Sequence, residues 1–157
     1  MRIIISILAL VLLLTCFAAS APDEAMGKVS KCTDGDNFEV TLQDTNGKLI
    51  LGNIIEVRLA DIDCQDGIDA SAYTCDLLLG NYIFLDLDDK TGQDQYGRWV
   101  AVVYLSEDGK PGRNFNKQLV DAGRACIWDF NNNEFNPTEW WNGSVPVTAC
   151  FGRWTGK

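Results

Sequence analysis

Apolar residues recur with two different periods along the chain, and the change of period marks the elements. Asn37 to Gln43 alternates at every second position, and it and Met26 to Thr33 read as two strands with a tight turn at Asp34-Gly35 between them. Asp44-Thr45-Asn46-Gly47 is a hairpin signal, because Asn-Gly supplies the positive φ angles of a two-residue turn. Ile50 to Ile62 predicts a third strand with Glu56 and Arg58 on one face. The period then lengthens: Ala70, Tyr73 and Leu77 predict a helix from Asp69 to Leu79, closed by Gly80. Tyr82 to Leu87 and Trp99 to Leu105 return to strand character, the second apolar on both faces as a buried strand would be. Asn114 to Ala122 predicts a second helix with Asn114 as its cap, and Thr138 to Trp141 a short last one. Five strands with a helix inserted after the third predict an α+β fold, a five-stranded Greek-key β-barrel of the OB type with two to three helices.

The N-terminus stands apart from this pattern. Arg2 precedes an unbroken apolar run, Ile3 to Leu14, and Ala18-Ala19-Ser20-Ala21 follows before Pro22. The run is shorter than the roughly 20 residues that span a bilayer, so residues 1–21 are expected to be a signal peptide and 22–157 a single secreted, extracellular domain. The chain carries a net charge of −9, and losing residues 1–21, whose only charge is Arg2, takes it to −10. A general basic surface for nucleic acid is thereby excluded; a polyanion must be met by a few placed cations or a metal. There is no histidine, which excludes Ser/His and Cys/His nucleophile arrangements and histidine-ligated metals. Five cysteines remain in 22–157, namely Cys32, Cys64, Cys75, Cys126 and Cys150; the sequence leaves their connectivity open, with Cys64 and Cys75, flanking one short loop, the first pair to expect.

Polar clusters sit at the ends of the apolar strands. Asp34-Gly35-Asp36 occupies a turn, Arg58 to Asp66 runs from a strand into three carboxylates, and Asp94-Gln95-Tyr96-Gly97-Arg98 precedes the buried strand. Asp86-x-Asp88-Asp89 reads as a solvated loop. Helix–loop–helix calcium sites are excluded: Asp61-x-Asp63-x-Gln65 has Asp66 where the sixth-position glycine belongs. Two arginines and several carboxylates without histidine suit phosphodiester hydrolysis assisted by a hard cation, the guanidiniums offsetting charge that grows on phosphate oxygens.

The order of Asp34-Gly35-Asp36, Val57 to Asp63, Ala70-Ser71-Ala72-Tyr73-Thr74 and Asp94 to Arg98 resembles the staphylococcal-nuclease-like (thermonuclease) family over about residues 28–140, most closely its compact secreted prokaryotic or archaeal members. The resemblance implies a calcium-dependent endonuclease that hydrolyses single-stranded or frayed DNA and RNA to 3′-phosphates, a monomer with no stable protein partner. It implies Asp36, Asp63 and the backbone carbonyl of Cys64 as Ca2+ ligands, Arg58 and Arg98 as the phosphate clamp, and Asp66 as the carboxylate acting on the attacking water. Asp34 and Asp94 become supporting residues and Tyr96 a substrate contact. The chain departs from the family with Gln65-Asp66 for Pro-Glu and Gln95 for a lysine. The family's nucleotide-stacking tyrosines fall on Asp129 and Asn131, with Trp128 and Phe130 one step off that register. The alternative is a non-catalytic OB-type module binding an oligonucleotide or protein, which would have no activity to lose on chelation or on Arg58→Ala.

Overall fold

The computed structural model describes residues 24–64, 68–130 and 132–145. The segment 1–21, Asp66, Asn131 and Cys150 lie outside the described residues. Six strands make one sheet: β1 (Ala25–Cys32), β2 (Asn37–Thr45), β3 (Ile54–Leu59), β5 (Tyr82–Leu87), β6 (Trp99–Glu107) and β7 (Lys110–Asn114). The short strand β4 (Ile62–Asp63) pairs instead with β8 (Cys126–Ile127). The neighbours run antiparallel in the order β3-β2-β1-β5-β6-β7, and a parallel pairing of β3 with β6 closes the sheet on itself. The result is a closed five-stranded barrel with β7 as a hairpin on its side, the Greek-key OB architecture that the spacing of strands and helices predicts.

Inward-facing residues two apart along β2, β3 and β5 fill the barrel. Phe38, Val40 and Leu42 of β2, Val57 and Leu59 of β3, and Ile83, Leu85 and Leu87 of β5 all point inward and are fully buried. Each such side chain stabilises the fold by roughly 1.5–3 kcal/mol over an exposed one. In β6, Ala101, Val102 and Val103 are buried in succession, as an apolar run without alternation predicts. Helix α1 (Ile68–Leu78) follows β4 and packs against β1. Helix α2 (Phe115–Asp121) starts at Asn114, whose side chain accepts from the Lys117 amide, and it sends Phe115 and Leu119 into the core. A 3-10 turn, Pro137–Trp141, occupies the place of the expected last helix.

Four local expectations change. The two-residue hairpin at Asn46-Gly47 is instead a wider loop to Asn53, in which Gly47 and Gly52 both take positive φ. The long strand Ile50 to Ile62 is broken after Leu59 because Asp61 turns left-handed, with φ 53°. Asp and Asn tolerate that region better than other non-glycine residues. Asp88 is not in a solvated loop: it is buried, and its carboxylate accepts from the amides of Lys90, Thr91 and Glu134. Among the described residues Cys32, Cys64 and Cys75 are free thiols, so no bridge joins Cys64 to Cys75, whereas Cys126 is disulfide-bonded.

Candidate active site

Barrel closure decides where the charged strand ends meet. In the β3–β6 register Arg58 lies beside Val100, and Arg98 is two residues before Val100, hence on the same face. In the β2–β3 register Arg58 lies opposite Asn37, one residue beyond Asp36. Residues far apart in sequence therefore converge at one rim of the barrel.

The turn between β1 and β2 supplies the carboxylates. Asp36 is 5% exposed, its Oδ2 lies 2.6 Å from Arg58 Nη1, and the same oxygen accepts from the Cys64 amide at 2.9 Å. Burial pushes its carboxyl up to about 6, against the pull of the Arg58 guanidinium. Asp34 accepts from the Asp36 amide and the Asn37 side chain; burial works to raise it, but these bonds hold it below the usual carboxylate range. The turn is clamped from behind. Thr74 Oγ1 of α1 donates to the Gly35 carbonyl at 2.7 Å, and a Cβ at Gly35 would come within 2.9 Å of Cys64 Cβ and 2.8 Å of Ala70 Cβ. Only glycine fits there, for lack of room and not for its φ.

Arg58 stands between two carboxylates, with Nη2 3.6 Å from Asp63 Oδ1 and donating to the Ile62 carbonyl at 3.0 Å. Arg98 is held by Asp94, which takes Nε at 2.7 Å and Nη2 at 2.6 Å, while Nη1 donates to Asn37 Oδ1 at 2.7 Å. Asp94 also accepts from the Tyr96 and Arg98 amides, and these bonds with the guanidinium keep it below the usual range although burial works to raise it. The Tyr96 ring, largely exposed, lies under the Arg98 guanidinium at 5.0 Å.

Seven of the sequence-predicted residues, Asp34, Asp36, Arg58, Asp63, Cys64, Asp94 and Arg98, thus form one connected network with Tyr96 at its edge. Asp66 lies outside the described residues. The residue that sequence reasoning missed is Asn37: its Nδ2 bonds Asp34 and Asp36 while its Oδ1 takes Arg98, so it ties the two arginine–carboxylate pairs together.

The arginines open onto a cleft of about 570 Å³. Trp128 and Phe130 wall it, stacked with centroids 4.8 Å apart. They face the site because Asp61 holds their backbone: the Trp128 amide donates to Asp61 O and the Phe130 amide to Asp61 Oδ1. The aromatic wall that sequence register assigns to positions 129 and 131 is therefore built from 128 and 130. Asp61 is fully buried; burial raises its carboxyl to about 6 against the Phe130 and Asn133 hydrogen bonds, and its Oδ2 has no hydrogen-bond partner among the described residues.

For a metal, the chemistry of the donors is what counts. Asp36, Asp63 and the Cys64 carbonyl offer hard oxygens of the kind calcium and magnesium take. One guanidinium does not offset the burial of Asp36, so the pair fits an added cation with water completing its shell. Among the described residues no three acidic or thiol side chains are grouped to hold a metal by themselves.

Residues 56–139, from β3 through the buried strand to the last turn, match the family model described as staphylococcal nuclease homologue. The match spans more than half of the chain. The chain belongs to the staphylococcal nuclease homologue family. Both arginines, Asp63 and the aromatic wall of this nuclease-like domain lie inside the matched stretch, whereas the Asp34–Asp36 turn precedes it. Hydrolytic nucleases are the general rule in the family, and the closed barrel is its OB-fold. Among curated proteins, none matches the chain.

Proposed function

We propose that the protein is a secreted, calcium-dependent nuclease that cleaves phosphodiester bonds of single-stranded or frayed DNA and RNA to 3′-phosphates. The observation that carries the reading is the convergence of Arg58, Arg98, Asp36 and Asp63 at the mouth of a cleft walled by a stacked aromatic pair. Trp128 and Phe130 offer faces on which unpaired bases stack, worth roughly 1–3 kcal/mol per base, which is why single strands are the expected substrate. Arg98, prealigned by Asp94 and Asn37, keeps N–H donors for phosphate oxygens and offsets their growing charge. Arg58 brings a second guanidinium to the cleft from β3, its plane held by Asp36, Asp63 and the Ile62 carbonyl. A calcium ion held by Asp36, Asp63 and the Cys64 carbonyl would supply Lewis-acid polarisation of the phosphate. In this reading Asp66 accepts the proton of the attacking water; it is one methylene shorter than the family's glutamate. Secretion rests on the N-terminal segment, residues 1–21.

The deciding experiment incubates the protein from residue 22 onward with single-stranded DNA and RNA, with calcium or with chelator, and identifies the product ends. Cleavage that needs calcium, and falls by about 10²–10³-fold in Arg58→Ala and Arg98→Ala, supports the reading. Binding without cleavage in calcium, where a control nuclease degrades the same substrate, assigns the domain instead as an oligonucleotide-binding module.

A further inference from the structure

Two free thiols outside the arginine network lie on elements packed against each other: Cys32 at the end of β1 and Cys75 in the second half of α1, both half-buried. Backbone bonds on both sides fix them there. Before Cys32, Val29 accepts from the Gly80 amide at 2.9 Å and donates to the Asn81 carbonyl at 3.0 Å; after it, Gly35 accepts from Thr74, the neighbour of Cys75. Burial first, then the neighbouring Cys75 thiol, pushes the Cys32 thiol up to about 12. Cys64, by contrast, packs against Gly35, and the charged groups acting on its thiol are Asp36, Arg58, Asp34 and Asp63. Cys126 already carries a disulfide.

We propose that Cys32 and Cys75 are a disulfide-forming pair whose bond fastens α1 to the end of β1 and so steadies the turn that carries Asp34 and Asp36. The oxidant is a small-molecule disulfide such as oxidised glutathione. One cysteine thiolate attacks it, forming a mixed disulfide and expelling one glutathione thiolate; the second cysteine attacks the protein sulfur of that bond and expels the other. Two protein thiols lose two electrons to the oxidant, and their two protons pass to the expelled thiolates. The inference does not depend on the nuclease reading. A crosslink across so long a stretch of chain removes much of the entropy of the unfolded state.

The folded protein is incubated with oxidised glutathione, quenched in acid, alkylated and digested with trypsin and chymotrypsin, so that cutting at Tyr73 separates Cys64 from Cys75. Mass spectrometry is expected to find the Cys32 and Cys75 fragments joined and Cys64 alkylated, with Cys126 unalkylated as the internal reference. The oxidised protein is expected to melt roughly 10 °C above Cys75→Ala. Alkylation of both Cys32 and Cys75, or a link running to Cys64, overturns the proposal. An unchanged melting temperature with the link present overturns the claim that it fastens the helix.

Discussion

Asn37 is a neutral side chain at the centre of a charged site, and its four bonds explain why it must be an amide. Its Nδ2 serves carboxylates that only a donor can satisfy, and its Oδ1 meets a guanidinium that only an acceptor can hold. Asn37→Ala leaves Arg98 Nη1 and Asp36 Oδ1 without that partner. The expected result is a loss of roughly 10–100-fold in kcat/KM on single-stranded DNA, because misplacement of a positioned group is costly, with about 1–3 kcal/mol lost in denaturant unfolding. Trp128 calls for a different signature. Trp128→Ala removes a stacking face and leaves the arginines in place, so KM should rise roughly tenfold while kcat changes little; an unchanged KM would remove the aromatic wall from substrate binding. The charged members of the site were legible because carboxylates and arginines at strand ends stand out against apolar neighbours. Asn37 was not, since it reads as the first residue of an ordinary strand, and only the cross-strand register with Arg58 reveals its place. Trp128 and Phe130 stood one step off the expected register in the sequence, and the left-handed bend at Asp61 decides for them by supplying the acceptors that set their backbone.

At the scale of elements, the barrel closes where β3 meets β6, and Asn116 of α2 guards that seam. Fully buried, it donates to the Ala60 carbonyl at 2.9 Å and accepts from the Val103 amide at 3.0 Å, bonding the segment just past β3 and the middle of β6 at once. Asn116→Ala orphans both backbone groups in the core, so unfolding in urea should show about 3 kcal/mol less stability with an unchanged m-value. A change under 1 kcal/mol would mean that water or a shifted helix satisfies them. Which strands exist was readable from alternation, and the two helices from spacing plus the Asn114 cap and the Gly80 stop. The strands β4, β7 and β8 were not. Two of them are two residues long, too short for a period to register, and β7 has the sequence Lys-Pro-Gly-Arg-Asn, whose composition argues for a turn. Pairing with β6 overrides that local preference.

Over the whole molecule, the carboxylates divide into two sets with opposite linkage to pH. Asp34, Asp94, Glu107 and Asp121 sit below their usual values, so each contributes stability that is present at neutral pH and is lost as pH falls below about 4. Asp36, Asp61 and Asp86 are raised to about 6, chiefly by burial, and work the other way. The folded state holds their protons more tightly than the unfolded chain, so their contribution is complete below about 4 and lost as pH rises through about 6. Without metal the melting temperature should therefore pass through a maximum between about pH 4 and 5 and decline to a lower plateau above about pH 6.5. Asp61→Asn, which cannot ionise, should flatten that decline. Calcium reverses part of it if Asp36 is a ligand, because only the ionised carboxylate binds the ion. At a hundredfold excess over its Kd, calcium should stabilise the fold by about 2.7 kcal/mol at pH 7.5 and by much less at pH 5. Thermal melts over this range with calcium and with chelator measure both effects. A calcium stabilisation that stays the same at both pH values would remove Asp36 from the metal site while leaving the acid maximum, which Asp61 and Asp86 set by themselves, in place.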